Sequence, residues 1–285
     1  MRGMTRVVAV ANQKGGVAKT TSAHNLGVAL ARLGRRVLLV DLDPQGCLTF
    51  ALGFDPDGLG ATLHDVLLGR TDAIDVVVDV AGLSLVPSSI DLAGSELALL
   101  GRTGREHALR HALRAVVEKY DVVLVDCAPS LGLLTVNGLT AASEVLIPMQ
   151  CEALSHRGVA QLLDTIEDVR EFTNPHLTVR GAIATMFDSR TRHSREVLDD
   201  VRERFGLRVL EPPVPKSVRF AEAPGLGLSI LEHAPDSKGA EAYRLIAATL
   251  RREWDAEDSG LGDLDSDAAA GDHFSDHPGG EPGDA

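Results

Sequence analysis

Hydrophobic positions along this chain follow two spacings. Near-continuous apolar runs, "RVVAVA", "RVLLVDLD", "YDVVLVDC", "EVLIPMQ" and "VRGAIATMFD", predict strands over 6–12, 36–43, a segment ending at Asp126, 144–150 and 179–188. Strands without polar alternation are those buried on both faces, as in a parallel sheet. Between them the spacing changes to three and four. Ala23, Leu26, Ala29, Leu30 and Leu33 line one side of a helix predicted over 19–33, and Gly34 follows it as a C-terminal cap. Further helices are predicted over 106–119, 157–172, 194–205 and 238–254, with weaker helix and strand signals in "LHDVLLG" and "LSLVPSS". Strands alternating with helices of this length predict parallel βαβ units in a three-layer, doubly wound α/β sheet, here one domain over 1–254.

Composition narrows the picture. Aromatic residues make up only 4% and there is no run of 18 apolar residues, so no membrane-spanning helix is expected. "MRGMTR" leads into the first strand without the apolar segment of a signal peptide. Cys47, Cys127 and Cys151 form no C-x-x-C pair and are expected as reduced thiols of a cytoplasmic protein. The net charge of −13 is unevenly placed. Ten of the 41 acidic residues and none of the 28 Lys and Arg fall in 255–285, so the body carries about −3. That tail, rich in Gly, Ser, Asp and Pro, is expected to be disordered because it buries too little apolar surface to offset its ordering entropy. A near-neutral body is not by itself a strong nucleic-acid footprint.

The chemistry concentrates at the carboxyl ends of the predicted strands, where open parallel sheets bind ligands. "KGGVAKTTS" (14–22) follows the first strand and opens the first helix, where backbone N–H groups and the helix dipole face an anion. Against G-x-x-x-x-G-K-[ST], Lys19 and Thr20 supply the K-[ST] pair, Gln13 and Ala18 replace both glycines, and Lys14 is an additional cation. Lys19 is placed to reach terminal phosphates and the Thr20 hydroxyl to ligate Mg²⁺. Asp41 and Asp43 end the second strand on one face, and Asp126 tips the third. A Lys-Thr pair or an "LLVD" ending is common alone; the loop and two acid-tipped strands in this order predict a nucleotide site.

"KGGVAKTTS", "VLLVDLDPQG", "DVVLVDCAPS" and "VRFAEAPGLG" together resemble the ParA/Soj partition ATPases, deviant Walker P-loop proteins whose superfamily includes MinD. The likeness runs from Val7 to about Leu250. It implies that Lys14, Gly15, Gly16, Val17, Ala18, Lys19, Thr20 and Thr21, with Met186 and Pro215, bind ATP, and that Thr20, Asp41 and Asp126 act on Mg²⁺. A purely structural strand-end role stays open for Asp41. Lys14 matches the signature lysine that reaches a partner's phosphates in an ATP-sandwich homodimer. Lys14, Lys19 and Asp43 form the implied catalytic set, Asp43 positioning the attacking water, with Pro44–Gln45 and 128–130 as switches. Many relatives have glycine at position 18; alanine is expected to be tolerated there, with function retained, if φ is helical, and to fail if φ is positive.

The resemblance also implies slow ATP turnover stimulated by a ParB-like centromere-binding partner, in the cytoplasm on the nucleoid. Arg190, Arg219 and Lys216, with Arg192 and Arg195 nearby, match segments that contact double-stranded DNA without reading its sequence. The alternative is a MinD-like ATPase that positions a complex at a membrane or pole. Acids after Trp254 oppose it, since anionic lipids repel them. An iron–sulfur reductase of the nitrogenase type would need bridging cysteines, whereas Cys127 and Cys151 read as strand residues.

Overall fold

The computed structural model describes residues 4–152 and 155–260. Eight strands, β1 (Arg6–Val10), β2 (Val37–Leu42), β3 (Val78–Val80), β4 (Leu83–Val86), β5 (Val122–Cys127), β6 (Glu144–Gln150), β7 (Thr178–Thr185) and β8 (Val209–Leu210), form one sheet. Their order is β3-β4-β2-β5-β1-β6-β7-β8. All pairings are parallel except β3–β4. Early helices are α1 (Lys19–Arg32), α2 (Cys47–Ala51), α3 (Leu63–Leu68), α4 (Ala73–Val76), α5 (Leu92–Leu99) and α6 (Ala108–Val117). Later ones are α7 (Leu133–Ala141), α8 (Ser155–Phe172), α9 (Arg192–Phe205), α10 (Arg219–Glu222), α11 (Ile230–His233) and α12 (Lys238–Asp258).

The apolar runs work as the pattern requires, because successive strand side chains serve opposite layers. Leu38, Val40 and Leu42 of β2 and Val123, Val125 and Cys127 of β5 join one core. Val37 and Leu39, with Val122 and Leu124, join the other, shared with α1, α11 and α12. By the same parity Asp41 and Asp126 are directed to the α1 layer. The β2–β5 register makes them direct neighbours, Asp41 opposite Asp126. Helices lie close on the sheet through small residues: a Cβ on Gly27 of α1 would meet Leu39 Cδ2 at 2.8 Å. Gly34, with φ of +87°, stops α1 as expected.

The last helix departs from expectation. It continues through Asp258, past the tail boundary expected at 255, because its final acids have partners. Glu257 accepts from Arg6 at 2.6 Å and from Arg180 at 2.7 Å, Asp258 accepts from Arg6 at 2.6 Å, and Asp255 pairs with Arg35. At the centre is Glu144 on β6, 2% exposed. It accepts two bonds of 2.8 Å from Arg180 and bonds of 3.1 Å from Trp254 Nε1. The rest of the expected disordered tail, 261–285, lies outside the described residues.

Candidate functional site

The loop between β1 and α1 turns through two left-handed residues, Gly16 (φ +74°) and Ala18 (φ +67°, ψ +36°). Contrary to the expectation that alanine fails at positive φ, Ala18 sits there in the left-handed region, a conformation that costs a residue with a Cβ about 1 kcal/mol or more. No side chain caps the start of α1 and its first turn holds no acid, so its N–H groups stay available for an anion. Buried Val17 is fastened below: Thr185 Oγ1 shares its one proton between Val17 O and Met149 O, both at 3.1 Å. Lys19 is 7% exposed and its Nζ donates to Lys14 O at 3.2 Å. Burial lowers its pKa, against the pull of Asp126.

The two strand-end acids differ in how they are engaged. Asp41 Oδ2 accepts from Thr49 N at 2.8 Å and Thr49 Oγ1 at 2.7 Å, and Oδ1 accepts from Asp43 N at 3.2 Å. Its carboxylate thus anchors α2, and burial pushes its pKa up to about 6. Asp126 is fully buried, and among the described residues neither carboxylate oxygen has a hydrogen bond of ordinary geometry, although the Thr20 hydroxyl lies close enough to act on its charge. Burial, then the charge of Asp41, holds its pKa well above the carboxylate range; the Thr20 hydroxyl and Lys19 offset only part of this. An orphaned carboxylate beside a threonine hydroxyl at a phosphate-type loop suits Mg²⁺, which takes one or two protein oxygens and completes its shell with phosphates and water. Among the described residues no three His, Cys, Asp or Glu form an all-protein cage. The predicted metal residues thus separate: Asp126 and Thr20 fit a cation, while Asp41 has its oxygens committed to the fold.

A cleft of about 710 Å³ opens over the loop, with Lys19, Thr20, Asp43, Gln45, Pro129 and Met186 in its wall. Asp43 is 9% exposed, and its Oδ1 accepts from Gln45 N at 3.0 Å. A second recess of about 250 Å³ continues past Ala18, Thr21 and Met186 to Pro215. The predicted nucleotide residues Thr21, Met186 and Pro215 are therefore brought together although far apart in sequence. Met186 sits at φ +52° where β7 ends, and Phe187 bridges to Pro215. That bridge gathers the basic segments at the same end of the sheet. Their cations are unequal. Arg190 is 87% exposed but gripped bidentately by Asp188, at 2.9 and 2.8 Å, and Asp188 is pulled down to about 2 by that contact. Arg192 pairs with Glu196 at 2.6 Å, and Arg195 donates to Ser189 O at 2.9 Å. Lys216 and Arg219 are exposed.

Sequence reasoning passed over residues that hold this machinery in place. Asn12, 3% exposed, accepts from Lys14 N at 3.0 Å and donates to Pro148 O at 2.8 Å. Thr49 passes the Asp41 contact on to Ser88 N at 2.9 Å, and Ser88 Oγ donates to Asp43 O at 2.8 Å. A lone polar residue ending an apolar strand was the only visible signal for Asn12; Thr49 and Ser88 meet only through the fold.

Known proteins match this arrangement. The AAA domain family model matches residues 5–179. The chromosome partitioning protein ParA of Caulobacter vibrioides is 44% identical, over 88% of this chain and 96% of its own. The sporulation initiation inhibitor protein Soj of Bacillus subtilis is 43% identical, over 86% and 97%. Among solved structures, the cobyrinic acid a,c-diamide synthase of Mycobacterium smegmatis is 53% identical with a TM-score of 0.81, covering 89% of this chain and 97% of its own; it was crystallised with ADP and magnesium. The same protein was also crystallised with an ATP analogue and magnesium.

Proposed function

The chain belongs to the ParA/Soj family of partition ATPases, and on that premise we propose that it dimerises with ATP, binds DNA without sequence preference and hydrolyses ATP to position a cargo with a ParB-like partner. The observation that carries the nucleotide half is Asp126: a buried carboxylate without a hydrogen bond of ordinary geometry, beside Thr20 and Lys19 under an open helix terminus. Loop N–H groups and Lys19 cradle the phosphates, and Lys19 supplies charge to the terminal ones. Thr20 and Asp126 would hold magnesium, whose charge would offset that of bound phosphates. Asp43, its Oδ1 fixed by Gln45, orients the attacking water. Asp41 keeps Asp43 and α2 in register. Phosphoryl transfer depends on such positioning rather than on a protein nucleophile. Met186 and Pro215 bound the space left for the base.

Lys14 lies at the rim and reaches the phosphates of a second copy. Lys216, Arg219 and Arg190 face the duplex, where phosphate contacts position a protein without reading bases. A MinD-like membrane role does not find its helix in α12, whose apolar residues Tyr243, Ile246, Leu250 and Trp254 are buried in the core shared with α1.

Light scattering with and without ATP and Mg²⁺ tests the reading. Lys14→Ala binds nucleotide but stays monomeric and inactive, whereas Lys19→Ala loses nucleotide binding itself. A dimeric, active Lys14→Ala protein overturns the role of Lys14. Turnover that requires cobyrinic acid would instead move the function to that of the cobyrinic acid a,c-diamide synthase of Mycobacterium smegmatis.

A further inference from the structure

Lys14 is held at three points, and only one must open for its ammonium to act on another chain. Its N–H is fixed by Asn12 and its carbonyl by Lys19 Nζ. Its Nζ donates to Gln150 Oε1 at 3.4 Å and Glu152 Oε2 at 3.1 Å, while Gln150 Nε2 donates to Glu152 Oε1 at 2.7 Å. The three side chains close a ring just beyond β6. Helix α8 presses on the same spot: a Cβ at Gly158 would stand 3.3 Å from Asn12 Oδ1 and 3.6 Å from Lys14 Cβ. The backbone anchors are buried or partly buried, but the ring is at the surface, with Lys14 31% and Glu152 56% exposed in their side chains.

We propose, resting on the dimer reading above, that Glu152 is a positioning residue that latches Lys14 in the monomer and gives it up to the phosphates of a second copy. An exposed ion pair is weak because water and salt screen it. The terminal phosphates of a nucleoside triphosphate carry several charges in a site sheltered by two chains, so they take the ammonium from a single solvated carboxylate. Asn12 and Lys19 keep the main chain of Lys14 still during this exchange, so only the side chain moves. The latch thereby raises the protein and ATP concentrations at which dimers form.

The test is Glu152→Gln, which keeps an oxygen for Gln150 but removes the charge, beside wild type and Glu152→Asp. Dimerisation of the full chain is followed by light scattering against protein concentration, with ATP and Mg²⁺. Each dimer opens two latches, each worth up to about five-fold, so the midpoint for Glu152→Gln falls by roughly 2- to 25-fold, and less so at high salt. Glu152→Asp stays nearer wild type. In the nucleotide-free monomer, Lys14 of Glu152→Gln is acylated by an amine-reactive probe about two-fold faster or more, read by mass spectrometry at unchanged melting temperature. An unshifted midpoint in Glu152→Gln beside a wild type that dimerises overturns the latch alone. A wild type that stays monomeric with ATP overturns the dimer reading and the latch together.

Discussion

At the scale of single residues, function is bought with stability at Asp126 and Ala18. Asp41 and Asp126 are neighbours across β2 and β5, buried on one side of the sheet. Both folded-state pKa values are raised, so between the ordinary carboxylate range and about pH 6 the folded chain binds more protons than the unfolded one. Stability of the nucleotide-free protein from this pair is therefore highest in acid and falls as pH rises, through about 6 for Asp41 and on through the raised pKa of Asp126. Asp126→Asn removes one charge and stabilises the nucleotide-free protein by about 1–3 kcal/mol, a rise of several degrees in melting temperature. It also abolishes the stabilisation by Mg²⁺-ATP that wild type gains. Calorimetry with and without nucleotide reads both, and a lower melting temperature for nucleotide-free Asp126→Asn defeats the account. Ala18→Gly relieves a left-handed alanine and stabilises by about 1 kcal/mol, or roughly 2–4 °C. Both sites were legible in part. The sequence placed the acids at strand ends and posed the question of φ at Ala18. It did not reveal that Asp41 is tied to Thr49, since that contact depends on where α2 begins.

At the scale of elements, apolar spacing placed strands and long helices within a few residues, because each serves a core on one face or both. It failed where electrostatics extends an element. The acids after Trp254 looked like the start of a solvated tail, yet Asp255, Glu257 and Asp258 continue α12 and answer Arg35, Arg6 and Arg180. Those partners descend from β1, β7 and the turn after α1, too far apart in sequence for periodicity to register. A chain ending at 254 should therefore melt lower than the full chain, and one ending at 260 should not. The difference is about 1–3 kcal/mol, because Arg6 and Arg180 are only 13% and 15% exposed and keep Glu144 but lose their outer carboxylates. Urea denaturation of both truncations checks this; equal midpoints would mean that the end of α12 contributes nothing.

At the scale of the whole molecule, sequence likeness put Arg190, Lys216 and Arg219 in one functional group, and the fold gives them different weights. Arg190 is already neutralised by Asp188, so Arg190→Ala should weaken ATP-dependent DNA binding less than Arg219→Ala. Arg219→Ala should lower the salt slope by about one unit per lost phosphate contact on every duplex alike. Asp188→Asn should strengthen binding by freeing Arg190. Titrations on unrelated duplexes at several salt concentrations separate the three variants; a larger loss at Arg190 than at Arg219 would reverse this ranking. The Phe187–Pro215 bridge has a broader consequence. Met186 is part of the cleft wall, Phe187 is stitched to the neighbouring segment, and Asp188 and Arg190 follow at once on the outer surface. The cleft and the surface proposed to face DNA thus hang on the same few peptide bonds. On the function proposed above, no relay across the interior is needed to couple the two, and a substitution in that short stretch should alter nucleotide and DNA binding together.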